Sequence, residues 1–184
     1  VNVLTDQTES QITFNSITGT SSTNTVIISG NGKLLSASVA DAVILMNGAD
    51  YFVFDKLLVR NTINNASLQG FRFTNDANYN VIKNCTIEFS ALTIASTSGG
   101  AYVSFATSAS NLTTTSTVNH GAYNLIDKNL MRTTNSNSPG PTYGIAIQGS
   151  SSSYSSVEQN NTISNNTIQN FYSIGIRNYY SNGN

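Results

Sequence analysis

The chain has 184 residues and is 39% hydrophobic, enough for a core, yet only 9% charged, against about 25% in an average soluble domain; 26 Asn, 26 Ser and 22 Thr do the solvating instead. A net charge of −1 gives no basic footprint for nucleic acid and no polybasic anchor for a membrane, and no apolar run is long enough to insert across one. One Cys and one His exclude an internal disulfide and a Cys/His zinc site.

The predicted elements are short and they recur. Asn24-Thr25-Val26 opens a unit whose later copies are longer. Phe52-Val53-Phe54-Asp55-Lys56-Leu57-Leu58-Val59 keeps its apolar pattern, and Gly70-Phe71-Arg72-Phe73 follows with apolar residues on alternate positions. Asn80-Val81-Ile82-Lys83-Asn84-Cys85-Thr86-Ile87 is the next copy of the unit, and Ala101–Phe105 is a looser copy of the Gly motif. Asn124–Met131, Gly144-Ile145-Ala146-Ile147, Asn161–Ile168 and Gly175-Ile176-Arg177 complete the series. The units start at 24, 52, 80, 124 and 161, so two intervals of 28 residues precede one of 44 and one of 37. Alternation over a few residues, bounded by Gly, Asn and Ser, marks short strands. No sustained 3.6-residue stripe with caps marks a helix.

A period near 28 residues with Asn at the corners predicts an all-β fold, a right-handed parallel β-helix of about five to six coils. Stacked coils lie one strand spacing apart, about 4.8 Å, so equivalent positions form columns. Phe54, Ile82, Ile126 and Ile163 should form one buried stack with Val26 beneath. Val59, Ile87, Met131 and Ile168 should form a second, and Phe71, Ile145 and Ile176 a third. Asn84, Asn129, Asn165 and Asn166 suit a corner ladder, because Asn tolerates left-handed backbone and bonds the local main chain. Lys56 and Lys128 interrupt it. The extra residues of the longer intervals are read as surface loops near 107–120 and 133–141, the second holding both prolines, Pro139 and Pro141. The whole of 1–184 reads as a single β-helix domain. A start without Met or a leader pattern, and an end at Ser181-Asn182-Gly183-Asn184, suit a piece of a longer array.

Ala42-Val43-Ile44-Leu45-Met46-Asn47-Gly48-Ala49-Asp50-Tyr51, the Gly70 and Gly144 motifs and the Asn-x-Ile-x-Asn units carry a resemblance. From Gln11 onward the chain resembles the right-handed parallel β-helix repeat proteins, and most closely the tandem β-helix domains of large secreted and cell-surface proteins of Bacteroidetes-type bacteria. The resemblance implies export, a bacterial extracellular or cell-surface location, neighbouring β-helix coils in the same parent protein, and a structural or adhesive role. Pectate-lyase-like enzymes share the architecture, but fold alone does not transfer their chemistry.

A glycosidase needs two carboxyls about 5–9.5 Å apart. The one charged column, Asp55, Lys83 and Asp127, is therefore the weak catalytic candidate, set against a surface charge ladder. The acidic residues are scattered without a Ca²⁺-loop spacing, so no cofactor is expected, and Ca²⁺ would need a site assembled from several coils. His120 lies in the long insertion without a visible carboxylate or nucleophile, and Cys85 fits a buried position. Aromatic residues are the better lead. Tyr51, Tyr79 and Tyr123 precede the first strand of successive coils, and Tyr179 and Tyr180 cluster near the end. Exposed Tyr rows bind sugars through an apolar face and a polar tip. The expected function is a non-catalytic stalk or adhesin that meets a polysaccharide or cell-surface glycan. The alternatives are a polysaccharide lyase or hydrolase, or a glycan-binding module.

Overall fold

The computed structural model describes residues 1–90, 99–110, 112, 119–149 and 159–179, and these form a right-handed parallel β-helix, the hand that connections between parallel strands take. β1 (Gln7–Glu9), β2 (Ile12–Asn15) and β3 (Val26–Ser29) make the first coil. β4 (Leu34–Ala37), β5 (Ala42–Asn47) and β6 (Phe52–Asp55) make the second, and β7 (Leu58–Asn61), β8 (Gln69–Thr74) and β9 (Val81–Lys83) the third. β10 (Thr86–Phe89), β11 (Ala101–Phe105) and β12 (Leu125–Asp127) make the fourth, and β13 (Leu130–Thr133), β14 (Tyr143–Gln148) and β15 (Thr162–Ser164) the fifth. β16 (Thr167–Ile168) and β17 (Ile174–Tyr179) begin a sixth. Every third strand pairs in parallel, which gives sheet A (β3-β6-β9-β12-β15), sheet B (β1-β4-β7-β10-β13-β16) and sheet C (β2-β5-β8-β11-β14-β17).

The strands register their apolar residues into columns. Phe54, Ile82, Ile126 and Ile163 stack in sheet A. Leu35, Val59, Ile87, Met131 and Ile168 stack in sheet B. Ile12, Ile44, Phe71, Val103, Ile145 and Ile176 stack in sheet C. Ile28, not Val26, lies beneath Phe54, and Val26 pairs with Phe52. A two-residue slip keeps the same face inward, so alternation could not choose between them. Phe54, Phe71, Phe73, Phe89 and Phe105 are at most 1% exposed, and each contributes about 1.5–3 kcal/mol by leaving water.

Two corners bracket sheet A, and both turn through left-handed residues. Tyr51, Tyr79, Tyr123 and Asn160 enter it with φ of 62°, 57°, 58° and 53°; Lys56, Asn84, Lys128 and Asn165 leave it with φ of 56°, 53°, 56° and 54°. Beside each corner runs a buried amide ladder. At the entry, the Asn80 N–H donates to Asn124 Oδ1 at 2.8 Å, and the Asn124 N–H to Asn161 Oδ1 at 2.9 Å. At the exit, the Cys85 N–H donates to Asn129 Oδ1, and the Asn129 N–H to Asn166 Oδ1, both at 2.9 Å. The expected ladder thus divides. Asn129 and Asn166 stack inside, whereas Asn84 and Asn165 take the left-handed corner with the two lysines and point their amides at Asp55 and Asp127.

The segment at 107–120 is not a free surface loop where it is described. Leu112 and His120 are 0% exposed, and Leu112 packs with Ala101, Ala106, Tyr143 and Ala146 in a second small core. Every residue of β8, β11 and β14 is buried. Backbone carbonyls of the segment accept hydrogen bonds from Arg72 Nη1 at Thr107, from Gln69 Nε2 at Ala109 and from Arg177 Nη1 at Leu112. The insertion is long enough to fold back, and a parallel sheet with an apolar outer surface needs a cover on both faces.

Candidate functional site

Tyr51, Tyr79 and Tyr123 form a continuous row. Successive ring centroids are 4.9 Å apart and the planes differ by 3° and 8°. This is the strand spacing of the solenoid, so each backbone repeat delivers one ring directly over the last. Tyr79 and Tyr123 are 43% and 47% exposed. A left-handed conformation costs a residue with a Cβ about 1–2 kcal/mol, and the cost falls three times in succession here. Asn160 takes the same corner in the next coil, so the backbone does not demand tyrosine. Stacking returns about 0.5–1.5 kcal/mol per pair. Because the rings cover one another, a ligand meets chiefly their edges and hydroxyls. Tyr179 is half-buried at the end of β17 with the Arg177 guanidinium 4.3 Å from its ring centroid. Tyr180 lies outside the described residues.

Asp55, Lys83 and Asp127 share one column, continued by Ser164. The two carboxylates stand two coils apart with Lys83 between them. Asp55 Oδ1 accepts from Asn84 Nδ2 at 2.8 Å. Asp127 Oδ1 accepts from Ser164 Oγ at 2.7 Å and Asn165 Nδ2 at 2.8 Å, and Lys128 Nζ lies 3.4 Å from Oδ2. The Asn165 and Ser164 hydrogen bonds, aided by Lys128, hold Asp127 below the usual carboxylate range. That state suits a base or a structural anchor and works against a general acid, which needs a raised pKa. A groove of about 400 Å³ opens beside this column, lined by Asn31, Lys56, Leu58, Asn84 and Thr86, with no carboxylate in its wall.

The most deeply placed charges were not singled out from the sequence. Arg72 is 7% exposed and grips Asp41 through two bonds, Nε to Oδ1 at 2.8 Å and Nη2 to Oδ2 at 2.7 Å. Burial pushes the Asp41 carboxyl up, but the hydrogen bonds and charge of Arg72 outweigh it and leave the group below its ordinary value. Glu88 is 2% exposed and stands between Arg60 and Arg132 on sheet B, with Arg132 Nε 3.2 Å from Oε2. The signal existed as Arg60, Glu88 and Arg132 at equivalent repeat positions, but it needed the strand register to be read. Asp50 is raised by burial and by the charge of Asp76, partly offset by the Asn78 N–H. The Cys85 thiol is 1% exposed and burial pushes it up to about 11, so it is a structural thiol rather than a nucleophile. His120 is fully buried, with Nε2 2.9 Å from Thr107 Oγ1. Among the described residues, no three His, Cys, Asp or Glu side chains converge as metal ligands.

Comparison with protein-family models, with curated proteins and with solved structures finds no match for the chain. The architecture therefore rests on the strand topology, and a functional assignment rests on the side chains just described.

Proposed function

We propose that the chain is a non-catalytic β-solenoid module of an extracellular or cell-surface protein from a Bacteroidetes-type bacterium, serving as a stalk or adhesin. One observation carries this reading: among the described residues, the most closely partnered acidic side chains are committed to holding coils together. Asp41 is clamped by Arg72, Glu88 lies between two arginines, and Asp127 is bound by Ser164 and Asn165. A catalytic acid or base needs a free face towards substrate. The Tyr51–Tyr79–Tyr123 row is the best candidate for contact with a polysaccharide or cell-surface glycan, since three tyrosines in succession take a left-handed corner that Asn160 fills in the next coil without an aromatic ring. Further coils of the same parent protein are the natural neighbours at the two ends.

A glycan array run beside an activity screen on acidic polysaccharides tests this. We expect no turnover, and binding weakened about threefold to tenfold by Tyr79→Ala, the loss matched to one aromatic contact. Turnover abolished by Asp127→Asn would replace the proposal with a lyase or hydrolase. Binding indifferent to Tyr79 would remove the row from the ligand surface.

A further inference from the structure

Among the described residues, the readily oxidised side chains are hidden apart from a few tyrosines, and three of those stand face to face. The sequence has no Trp. Met46 and Met131 are 0% exposed and Cys85 1%, so the sulfur atoms are screened from an oxidant in solution. Tyr102 and Tyr143 are buried. Tyr79 and Tyr123 are open to water, with Tyr51 half-buried beside them. Tyr172 is open as well, at 57%, but no ring stacks on it among the described residues.

The backbone holds the three stacked rings in place. Tyr51, Tyr79 and Tyr123 share one left-handed corner, and each N–H donates to a carbonyl of the next coil, at Asn78, Ala122 and Gln159, over 3.2, 3.0 and 2.9 Å. The same main chain therefore presents each ring in the direction of the last, with the planes within 8°. The Cε carbons beside the hydroxyls face their counterparts across about one strand spacing, 4.8 Å. The outer parts of Tyr79 and Tyr123 lie in water, so two rings can tilt together without moving the coils. Tyr79 has a partner on either side. Tyr51 and Tyr123 stand two spacings apart and are out of each other's reach.

We propose that this row is a site of oxidative crosslinking, in which a peroxidase and hydrogen peroxide join neighbouring rings as dityrosine and staple one coil to the next. Each of two rings gives up one electron and its phenolic proton and becomes a phenoxyl radical. The two radicals form one carbon–carbon bond between their Cε atoms. The hydrogen on each joined carbon moves to its oxygen, which restores both phenols. Two hydrogen atoms leave in all, and one hydrogen peroxide takes them up as two waters. Rings already held together couple faster than rings on separate chains, because the encounter is made in advance. The single cysteine denies the chain an internal disulfide, and coils in a linear stack are held only by their nearest neighbours. A bond from Tyr79 to Tyr123 spans the long insertion and restricts the unfolded chain as a disulfide across the same loop would. Crosslinking needs the phenols and the stack but no ligand, so it and glycan contact succeed or fail independently.

The chain is treated at high dilution with a haem peroxidase and hydrogen peroxide. It should stay monomeric, lose two hydrogen atoms by mass, gain dityrosine fluorescence and yield peptides that link Tyr79 to Tyr51 or to Tyr123. Tyr79→Phe keeps a stacked ring but has no phenol to oxidise, and should lower the intrachain yield by about tenfold or more. Tyr172→Phe should leave the yield unchanged. The crosslinked monomer should unfold at a higher urea concentration than the untreated chain. Dityrosine formed only between chains, an intrachain yield that Tyr79→Phe does not lower, linked peptides centred on Tyr172, or an unchanged urea midpoint overturns the proposal. Both variants keep a ring of the same size in place, so a failure to fold does not decide the result.

Discussion

Asn129 shows how one side chain joins three coils. Its Nδ2 donates to the Ile82 carbonyl at 2.9 Å and to Asn166 Oδ1 at 3.0 Å, while its Oδ1 accepts the Cys85 N–H. All of this lies at 2% exposure, where an orphaned polar group costs about 1–3 kcal/mol. Asn129→Ala strands the Cys85 N–H and the Ile82 carbonyl together. We expect a loss of about 2–5 kcal/mol in urea unfolding, with the melting curve shifted and the slope unchanged. Asn84→Ala removes one exposed contact to Asp55 and sets alanine in the left-handed corner, and should cost about 1–2 kcal/mol. Both residues are Asn in the same repeat unit, and only register tells them apart.

At the scale of elements, coil spacing is set where backbone meets backbone. Gly140, in the connection between β13 and β14, leaves no room for a side chain: a Cβ there would sit 1.2 Å from the Asn170 carbonyl oxygen one coil on. Its neighbours Pro139 and Pro141 give up no ladder hydrogen bond in that corner. Gly140→Ala must push β16 and β17 outward. Overpacking of this kind costs about 1–3 kcal/mol where a side chain can yield, and here the obstacle is main chain. We expect at least about 3 kcal/mol, read by chemical denaturation, with Tyr172 near the displaced coil more quenchable by iodide. A loss below about 1 kcal/mol would mean the coils slide freely at this corner. The docked part of the 107–120 insertion works at the same scale, fastening sheet C from outside through Gln69, Arg72 and Arg177.

Across the whole molecule, burial is uneven along the solenoid axis. The inward positions of β8, β11 and β14 are closed on both sides, while β2 and β17 are open on one face. In a linear stack each coil is stabilised by its nearest neighbours, so end coils hold half the contacts of central ones. Amide hydrogen exchange should therefore be slowest in β5, β8 and β11 and faster by at least about tenfold in β2 and β17 at low protein concentration. Uniform protection along the axis would show that the coils unfold as one unit.

The repeat and its alternation by themselves determined the strands, the parallel stacking, the three apolar columns and the alignment of Tyr51, Tyr79 and Tyr123. These follow from local rules, since a side chain's direction in a strand is fixed by position parity and equal coil lengths place equal positions one above another. Only the tertiary structure decided that Ile28 rather than Val26 stands under Phe54, and that Asn84 and Asn129 have different duties. It also decided that Leu112 and His120 are buried, and that Arg72 and Glu88 are buried charges, held by Asp41 and by Arg60 and Arg132. Each of these depends on which residues lie opposite across coils and on where a long insertion folds back. A strand's own pattern is unchanged by a two-residue slip, and an insertion has no period to read. The few charges that looked spare in the sequence thus became fasteners once the coils were stacked.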